Sequence, residues 1–492
     1  MDFGHYEPLN NVERCLLLFV FLVAVTYVYT EIKAWHIILY PLYRNISQFI
    51  SAGMSTVQDY RSGKYYKPWT YITPVVIVST KKQIAELSEA ACLSQRAVYA
   101  DMFGFKHTMD KLEHNTSDHK VIRTRLYSRV LQVMGPDHLN ALYPYLLTRL
   151  KSNLDEQFRR GFISKGCISL PIAQTARQVA SSLMGLMFFG EALASNDEFS
   201  NALLRYPQDI VNCMAAFQIA PSFLSPLMHA IITKRGRSMS LIQSRLFEHL
   251  SSQPSTWEEP EHTKQRTILY NMANLAKGSD YWNASLLAQS LLGIWFAASH
   301  QPWMNLHFII LEISVRKDWQ TALRQELEQA SPLDYNRLEQ LPLLDSFIKE
   351  TVRFNPLDKL AIRRKAMESY TFSDRSVLVP AGATVCVSAY DQMHNPQAYP
   401  EPDSFNPSRY FANADATQSR FTDVSEYFPV WGYGSLACPG RFHASLVIKM
   451  VLSQLLLKYE MRLEDEKART RWSWETFTMP YESTRVIFKQ LM

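Results

Sequence analysis

No two of the six cysteines stand in a CxxC spacing: Cys15, Cys92, Cys167, Cys213, Cys386 and Cys438 are scattered along 492 residues. A disulfide scaffold and a structural zinc site are thereby excluded, and the usage fits a reducing compartment. There is no dense Lys/Arg stripe either. A net charge of +5 on this length does not mark a nucleic-acid binder. Internal repeats, low-complexity tracts and an evident interdomain linker are also missing. Charged residues are only 20% and hydrophobic ones 47%, a balance that excludes a disordered chain and requires a large core.

Charge is absent altogether from CLLLFVFLVAVTYVYT, residues 15–30. The run is slightly short for a span of about 20 residues, but Arg14 and Lys33 can snorkel outward. Tyr27, Tyr29 and Trp35 stand where an interfacial aromatic belt would lie. Asp2, Glu7 and Glu13 precede the run, and Lys33, Arg44, Arg61, Lys64 and Lys67 follow it. The positive-inside bias therefore places the body of the protein in the cytosol. The expected organisation is a membrane anchor over residues 1–40, with its span at about 15–30, a linker over 41–70, and one large domain over 71–492. A cleaved signal peptide is the rival, but a basic start and a small-residue cleavage site are not evident. A buried core helix is the other alternative.

Further along, PVVIVST (residues 74–80) is β-branched and predicts a strand, and KKQIAELSEAACL after it has helical spacing. From about 117 to 330 the pattern is mostly helical, with breaks expected at Pro136, Pro171, Pro221, Pro226 and Pro254. Residues 251–267 read as a polar surface loop, and SVLVPAGATVCV (376–387) as two short strands around a turn. RFHASLVIKMVLSQLLLKYE (441–460) is a strongly apolar helix.

Ahead of that helix lies WGYGSLACPGRF, residues 431–442. GYGSLA formally matches a dinucleotide fingerprint, but SEYFPVW precedes it in place of a buried strand, and no Asp or Glu occurs between 435 and 459. A buried structural cysteine is the plainer alternative. Against it, Gly432, Gly434 and Gly440 let the backbone bend and approach a flat ligand. Pro439 has no N–H, and a helix starting near Gly440 puts its positive end beside Cys438, which favours a thiolate. With no second Cys or His nearby, the protein supplies a single ligand. That suits a metal already held by a macrocycle, meaning heme iron.

The stretch resembles the heme-binding loop of cytochrome P-450 enzymes, F-x-x-G-x-R-x-C-x-G. Trp431 stands at the Phe position, and Gly434, Cys438 and Gly440 match; Leu436 replaces the Arg, removing one expected partner of a heme propionate. Other segments follow in the family's order. SFIKETVRFNP carries E-x-x-R as Glu350 and Arg353, and PDSFNPSRYF (402–411) supplies Arg409, resembling the third member of the family's Glu–Arg–Arg lock behind the heme. The resemblance implies that these three are structural. DHKVIRTRL (118–126) resembles the propionate-binding helix, with His119 and Arg123 on one face; a solvated helix face is the alternative. IRRKA (362–366) resembles the strand that supplies another propionate arginine, with Arg363 preferred to Arg364. The likeness covers nearly the whole chain, in the style of fungal microsomal members of secondary metabolism. It implies a mainly α fold with minor β, the cytochrome P-450 fold, preceded by one N-terminal transmembrane helix.

LLAQSLLGIWFAASHQPWMNLHFIILEI (286–313) resembles the helix that crosses the heme face. Against the family pattern [A/G]-[A/G]-x-[acid or His]-Thr it reads Ala297, Ala298, Ser299, His300 and Gln301. Small residues leave room for oxygen. Gln301 replaces the hydroxyl that usually helps deliver protons. Pro302 cannot donate to the carbonyl of Ala298 and is expected to open the helix there; Gln301 both donates and accepts; His300 offers a relay near neutral pH. Ala298, His300 and Gln301 are thus the candidates for oxygen activation and proton delivery. The alternative is that His300 and Gln301 only hydrogen-bond within the protein. His300 and His307 lack the further ligands a metal pair would need.

The resemblance implies heme b on a Cys438 thiolate, which in that family pushes electron density toward the iron. It implies electrons from NADPH through a membrane-bound cytochrome P-450 reductase, with cytochrome b5 as a further donor, and insertion of one oxygen of O2 into a lipophilic substrate. Terpenoid, alkaloid and polyketide intermediates fit, by hydroxylation or multistep oxidation. It also implies the endoplasmic reticulum membrane, a single pass, a cytosolic catalytic domain and no nucleic-acid partner. Two alternatives remain: desaturation, cyclisation, coupling or rearrangement without oxygen insertion, and a non-catalytic heme-binding membrane protein. Phe103, Phe105, Phe217, Leu360 and Phe477 fall in regions that touch substrate in the family and suit a greasy ligand. Asp358 and Lys359 can orient a polar group or pair with each other.

Overall fold

Thr80 sets the first described helix boundary. Its hydroxyl accepts from the Gln83 N–H at 3.3 Å, and the Gln83 side chain accepts in return from the Thr80 N–H at 3.3 Å, a capping box. The computed structural model describes residues 75–110, 126, 129–131, 134–164, 166–219, 222–252, 267–411 and 420–491. The expected anchor, the linker at 41–70, His119 and Arg123 lie outside these residues, as does most of the expected loop at 251–267. Among the described residues no helix is long and apolar enough to cross a membrane.

The chain enters through β1 (Val75–Val78), α1 (Lys81–Glu89), β2 (Leu93–Ser94) and α2 (Gln95–Phe103). The helical body follows: α3 (Pro136–Arg160), the hairpin β3 (Phe162–Ser164) and β4 (Cys167–Pro171), then α4 (Ile172–Ala194), α5 (Asp197–Ile219), α6 (Ser225–Ile232), α7 (Arg237–Ser251), α8 (Ile268–Ala276), α9 (Ala284–Ser314), α10 (Lys317–Gln329) and α11 (Pro342–Phe354). β5 (Leu360–Ala366), β6 (Tyr370–Thr371), β7 (Leu378–Val379) and β8 (Thr384–Ser388) come next. α12 (Arg441–Lys458) runs into β9 (Tyr459–Leu463), and β10 (Arg471–Trp474), β11 (Phe477–Pro480) and β12 (Arg485–Gln490) close the chain.

The strands make one sheet in the order β1-β8-β5-β2, a second in the order β3-β4-β12-β9, and the pairs β10-β11 and β6-β7. The strands expected within 376–387 do flank a turn, in which Gly382 takes φ +81°. They do not pair with each other: β7 joins β6, while β8 lies between β1, parallel, and β5, antiparallel. Prolines act as expected at Pro136 and Pro226, near helix starts where a missing N–H is harmless. Pro144, Pro207 and Pro302 instead sit inside helices that continue past them.

α9 is the axis of the body. The Asn283 side chain caps it, accepting from the Leu286 N–H at 2.9 Å. Its apolar residues run all round, as a helix packed on every side requires, and it packs against α4, α7 and α12. Trp295 is fully buried there, donating Nε1–H to the Leu203 carbonyl at 3.0 Å and meeting the Phe188 ring edge-on at 5.6 Å. Trp295→Ala should lower unfolding stability by about 3–5 kcal/mol, measured by denaturant titration.

Candidate active site

The cysteine loop is closed by its own backbone. The Cys438 N–H donates to the Trp431 carbonyl at 2.6 Å, the Leu436 N–H to Tyr433 and the Ala437 N–H to Gly434, each at 3.2 Å. Gly432 is the tight point: it takes φ +81°, and a Cβ there would lie 2.7 Å from the Leu436 carbonyl oxygen. Gly434 also takes a positive φ, +58°, whereas Gly440 does not; a Cβ on Gly440 would stand 4.0 Å from the Cys438 sulfur. α12 begins right after Gly440 with no side-chain cap. Burial pushes the Cys438 thiol up on balance, while the Gly440 and Arg441 N–H groups and the Arg441 charge pull it part of the way back. Trp431 is buried and donates its indole N–H to the Phe421 carbonyl at 2.7 Å. Leu436 is exposed. Arg441 does not replace the missing arginine, because its guanidinium donates to the carbonyls of Thr422 (3.1 Å) and Cys438 (2.9 Å).

Glu350, Arg353 and Arg409 come together as the lock. Arg353 forks onto Glu350 at 2.7 and 2.9 Å, with both side chains fully buried. Its remaining N–H groups reach the carbonyls of Met393 and Pro402, both at 2.8 Å, and Ser404 at 3.3 Å. Arg409 meets Glu350 at 3.2 Å and holds the Pro400 and Ser404 carbonyls at 2.8 and 3.0 Å. The three charges pin the loop over 393–406 to α11.

β5 departs from simple alternation. Ile362 takes φ +51°, unusual for a β-branched residue, and the register against β8 shifts between Ala361 and Arg364. This bulge brings both arginines inside. Arg363 is committed to Asp358 at 2.8 Å and Thr476 at 2.6 Å. Asp358 therefore pairs with Arg363 and not, as the sequence suggested, with Lys359. Arg364 donates to the Arg363 carbonyl at 2.9 Å, but its Nε has no partner among the described residues. Burial pushes its guanidinium down to about 10. Of the two, Arg364 is the one with an unmet donor, contrary to the preference for Arg363.

On α9, Ala297 and Gln301 are exposed one turn apart, and Ala298 beside them is half-buried. His300, half-buried like Ala298, lies one turn from Ala297. Its ring meets Trp303 edge-on at 5.6 Å, and Trp303 in turn lies under the Arg177 guanidinium at 4.4 Å. Burial, with the Arg177 charge adding to it, pushes the His300 imidazole down to about 4. His300 therefore stays neutral around pH 7 and does not titrate there as the sequence suggested. α9 carries no break at Pro302. Phe103 packs edge-on against Phe296 at 4.9 Å, with Phe105 behind it at 6.1 Å, so one of the expected apolar contacts reaches this part of α9.

The sequence pattern of one family, Cytochrome P450, matches residues 35–488. The chain belongs to the cytochrome P450 family. It is 28% identical over 387 residues to cytochrome P450 monooxygenase janP of Penicillium janthinellum, covering 74% of this chain and 73% of that one. To cytochrome P450 monooxygenase penP of Penicillium crustosum it is 25% identical over 423 residues, covering 83% and 79%. The structure of a retinoic acid-bound cyanobacterial CYP120A1 superposes with a TM-score of 0.65 at 18% identity, covering 85% of this chain and 90% of that one; at that identity the likeness shows the fold. The mainly helical architecture is thus the P450 fold. As a P450 monooxygenase the protein is an oxidoreductase that carries heme on a cysteine thiolate.

The residues present fit that group. Cys438 ends a tight glycine-bearing loop at the uncapped, positive end of α12, where a bound cation would favour its thiolate. A flat apolar ligand against Ala297 and Gln301 would give α9 the burial it has elsewhere. Arg364 holds a donor that a carboxylate would satisfy. Strand alternation hides the bulge that turns both Arg363 and Arg364 inward, and the close approach behind the glycine at 432 shows only in the fold.

Arg353→Ala would strip the buried Glu350 of its two-pronged partner, leaving Arg409 alone against its charge, and should cost about 3–5 kcal/mol, read by thermal melting of the holoprotein. Acid should also unfold the chain early. Burial pushes His307 down to about 3 and His443 down to about 4. Between the unfolded value near 6.5 and these values the unfolded chain binds more protons, so stability falls as pH drops through that window. His307→Leu should show a smaller loss of Tm than wild type between pH 6.5 and 4.

Proposed function

We propose that Cys438 would hold heme b through its sulfur and that the enzyme oxidises a lipophilic small molecule with O2 and electrons from NADPH. The observation that carries this reading is the loop itself, which the Cys438 N–H closes on the Trp431 carbonyl at 2.6 Å and which sets Cys438 directly before the uncapped start of α12. When bound, the heme supplies the oxygen-activating chemistry. This chain's residues do the rest. Cys438 ligates the iron, with Trp431, Gly434 and Gly440 shaping its loop. His119 and Arg123, with Arg364 in place of the expected Arg363, hold the propionates. Glu350, Arg353 and Arg409 keep the loop behind the heme rigid. Ala298 leaves space beside the reacting face. Gln301, exposed next to it, donates or accepts at its amide. His300 contributes as a neutral imidazole that shapes this wall.

Phe103, Phe105 and Phe217 favour a greasy substrate, of the terpenoid, alkaloid or polyketide kind. The Penicillium relatives support a role in fungal secondary metabolism. Electrons come through an NADPH-cytochrome P450 reductase, with cytochrome b5 as a second donor. We place residues 1–40 in the endoplasmic reticulum membrane as a single-pass anchor and residues 71–492 in the cytosol as one catalytic domain. The exposed apolar side chains of Phe223, in the turn just before α6, and of Leu227 and Ile231 along α6 suit contact with the same membrane. The departure at Gln301 favours a second reading, in which the product is desaturated, cyclised, coupled or rearranged and no oxygen is inserted.

In microsomes, the reduced protein with carbon monoxide should give the strongly red-shifted Soret band of thiolate-ligated heme, and Cys438→Ala should abolish it. An unshifted band in heme-replete wild type would contradict the assignment. Once a terpenoid, alkaloid or polyketide is turned over, label from isotopic O2 in the product decides between the two readings.

A further inference from the structure

Lys449 lies on α12 with its side chain fully buried. Its ammonium has three protons and finds three acceptors: Glu339 Oε1 at 2.8 Å, Asp345 Oδ2 at 3.0 Å and the Leu338 carbonyl at 3.2 Å. The other oxygen of Asp345, Oδ1, accepts from the Phe421 N–H at 3.0 Å. The Phe421 carbonyl accepts from the Trp431 indole at 2.7 Å, and the Trp431 carbonyl accepts from the Cys438 N–H at 2.6 Å. An unbroken chain of hydrogen bonds therefore runs from a buried ammonium to the cysteine. The segment it crosses is tied on either side as well, by Lys349 Nζ to the Arg420 carbonyl at 3.1 Å and by Arg441 to the Thr422 carbonyl at 3.1 Å.

We infer that Lys449 and Asp345 are positioning residues for heme ligation: the ammonium fixes the Asp345 carboxylate, the carboxylate fixes Phe421, and Phe421 fixes the indole and backbone of Trp431 that hold Cys438. The inference rests on Cys438 being the heme ligand. The physical reason is the cost of stranding a buried charge. Without Lys449, Asp345 and Glu339 are two close carboxylates out of water, and the cheapest relief is to move or take up a proton. Either response weakens the hold on the Phe421 N–H. An indole at this loop position, where the family pattern has Phe, gives the chain of bonds a link that a phenyl ring could not supply.

The test uses the full-length protein in microsomes. It reads the share of the reduced carbon monoxide complex in the red-shifted thiolate band, at matched heme content. The wild-type band comes first; if it is missing, the assignment of Cys438 fails, separately from this inference. With it present, Lys449→Met should lower that share about fivefold. Asp345→Leu, similar in size but without an acceptor, should lower it as much. Asp345→Asn keeps an oxygen for the Phe421 N–H and should stay within about twofold of wild type. Combining Asp345→Asn with Lys449→Met should restore most of the band, because it neutralises one of the stranded carboxylates. A space-filling role would move Asn and Leu alike. A wild-type share in Lys449→Met or Asp345→Leu, or equal losses in Asn and Leu, overturns the inference. Should Lys449→Met not accumulate as a hemoprotein, the contrast at position 345 decides.

Discussion

A carboxylate with no access to water, Glu350, is the constraint on which this architecture turns. Burying it is tolerable only because Arg353 forks onto it and Arg409 reaches it from the following segment. The Asn406 N–H and the Tyr410 hydroxyl add hydrogen bonds at 2.8 and 3.3 Å. Both arginines have donors left over, and these take up the carbonyls of an irregular loop that no sheet satisfies. A long stretch of non-repetitive backbone thus becomes as fixed as a helix. The backbone ties within residues 431–438 then need only small adjustments to present one sulfur to one helix end.

Burial also decides what the polar residues of α9 can do. A histidine beside a reacting face suggests a proton carrier, yet His300 is packed against Trp303 with the Arg177 charge near, and both effects disfavour its charged form. Gln301 is the polar side chain on the exposed strip with Ala297. An amide there both donates and accepts and does not titrate, which is why the proposed proton supply is assigned to Gln301.

Much of this was legible in the sequence because it depends on local chemistry. Glycines around a lone cysteine, a Pro-Gly pair before an apolar run, and E-x-x-R one helical turn apart describe geometries that few other folds need, and the lock closes among the residues expected. The apolar run over 286–313 fixed α9 to within a few residues. What stayed hidden depends on long-range pairing or on burial. Adjacent Arg363 and Arg364 look like one inward and one outward residue until a bulge at Ile362 turns both inward. Pairing of Asp358 with Arg363 needed the Thr476 turn to come close from 118 residues away. Lys449 reads as a stray charge on an apolar helix, and nothing local shows that two carboxylates from other elements surround it. The titration of His300 could not be judged without knowing what covers it.

The central claim is that the sulfur of Cys438 ligates the heme iron. Iron K-edge X-ray absorption on the heme-loaded, full-length protein tests it most directly. The account predicts one sulfur in the iron's first coordination shell in wild type and none in Cys438→Ala. A first shell of nitrogen and oxygen alone in the wild-type protein, or a sulfur that persists in Cys438→Ala, would contradict it.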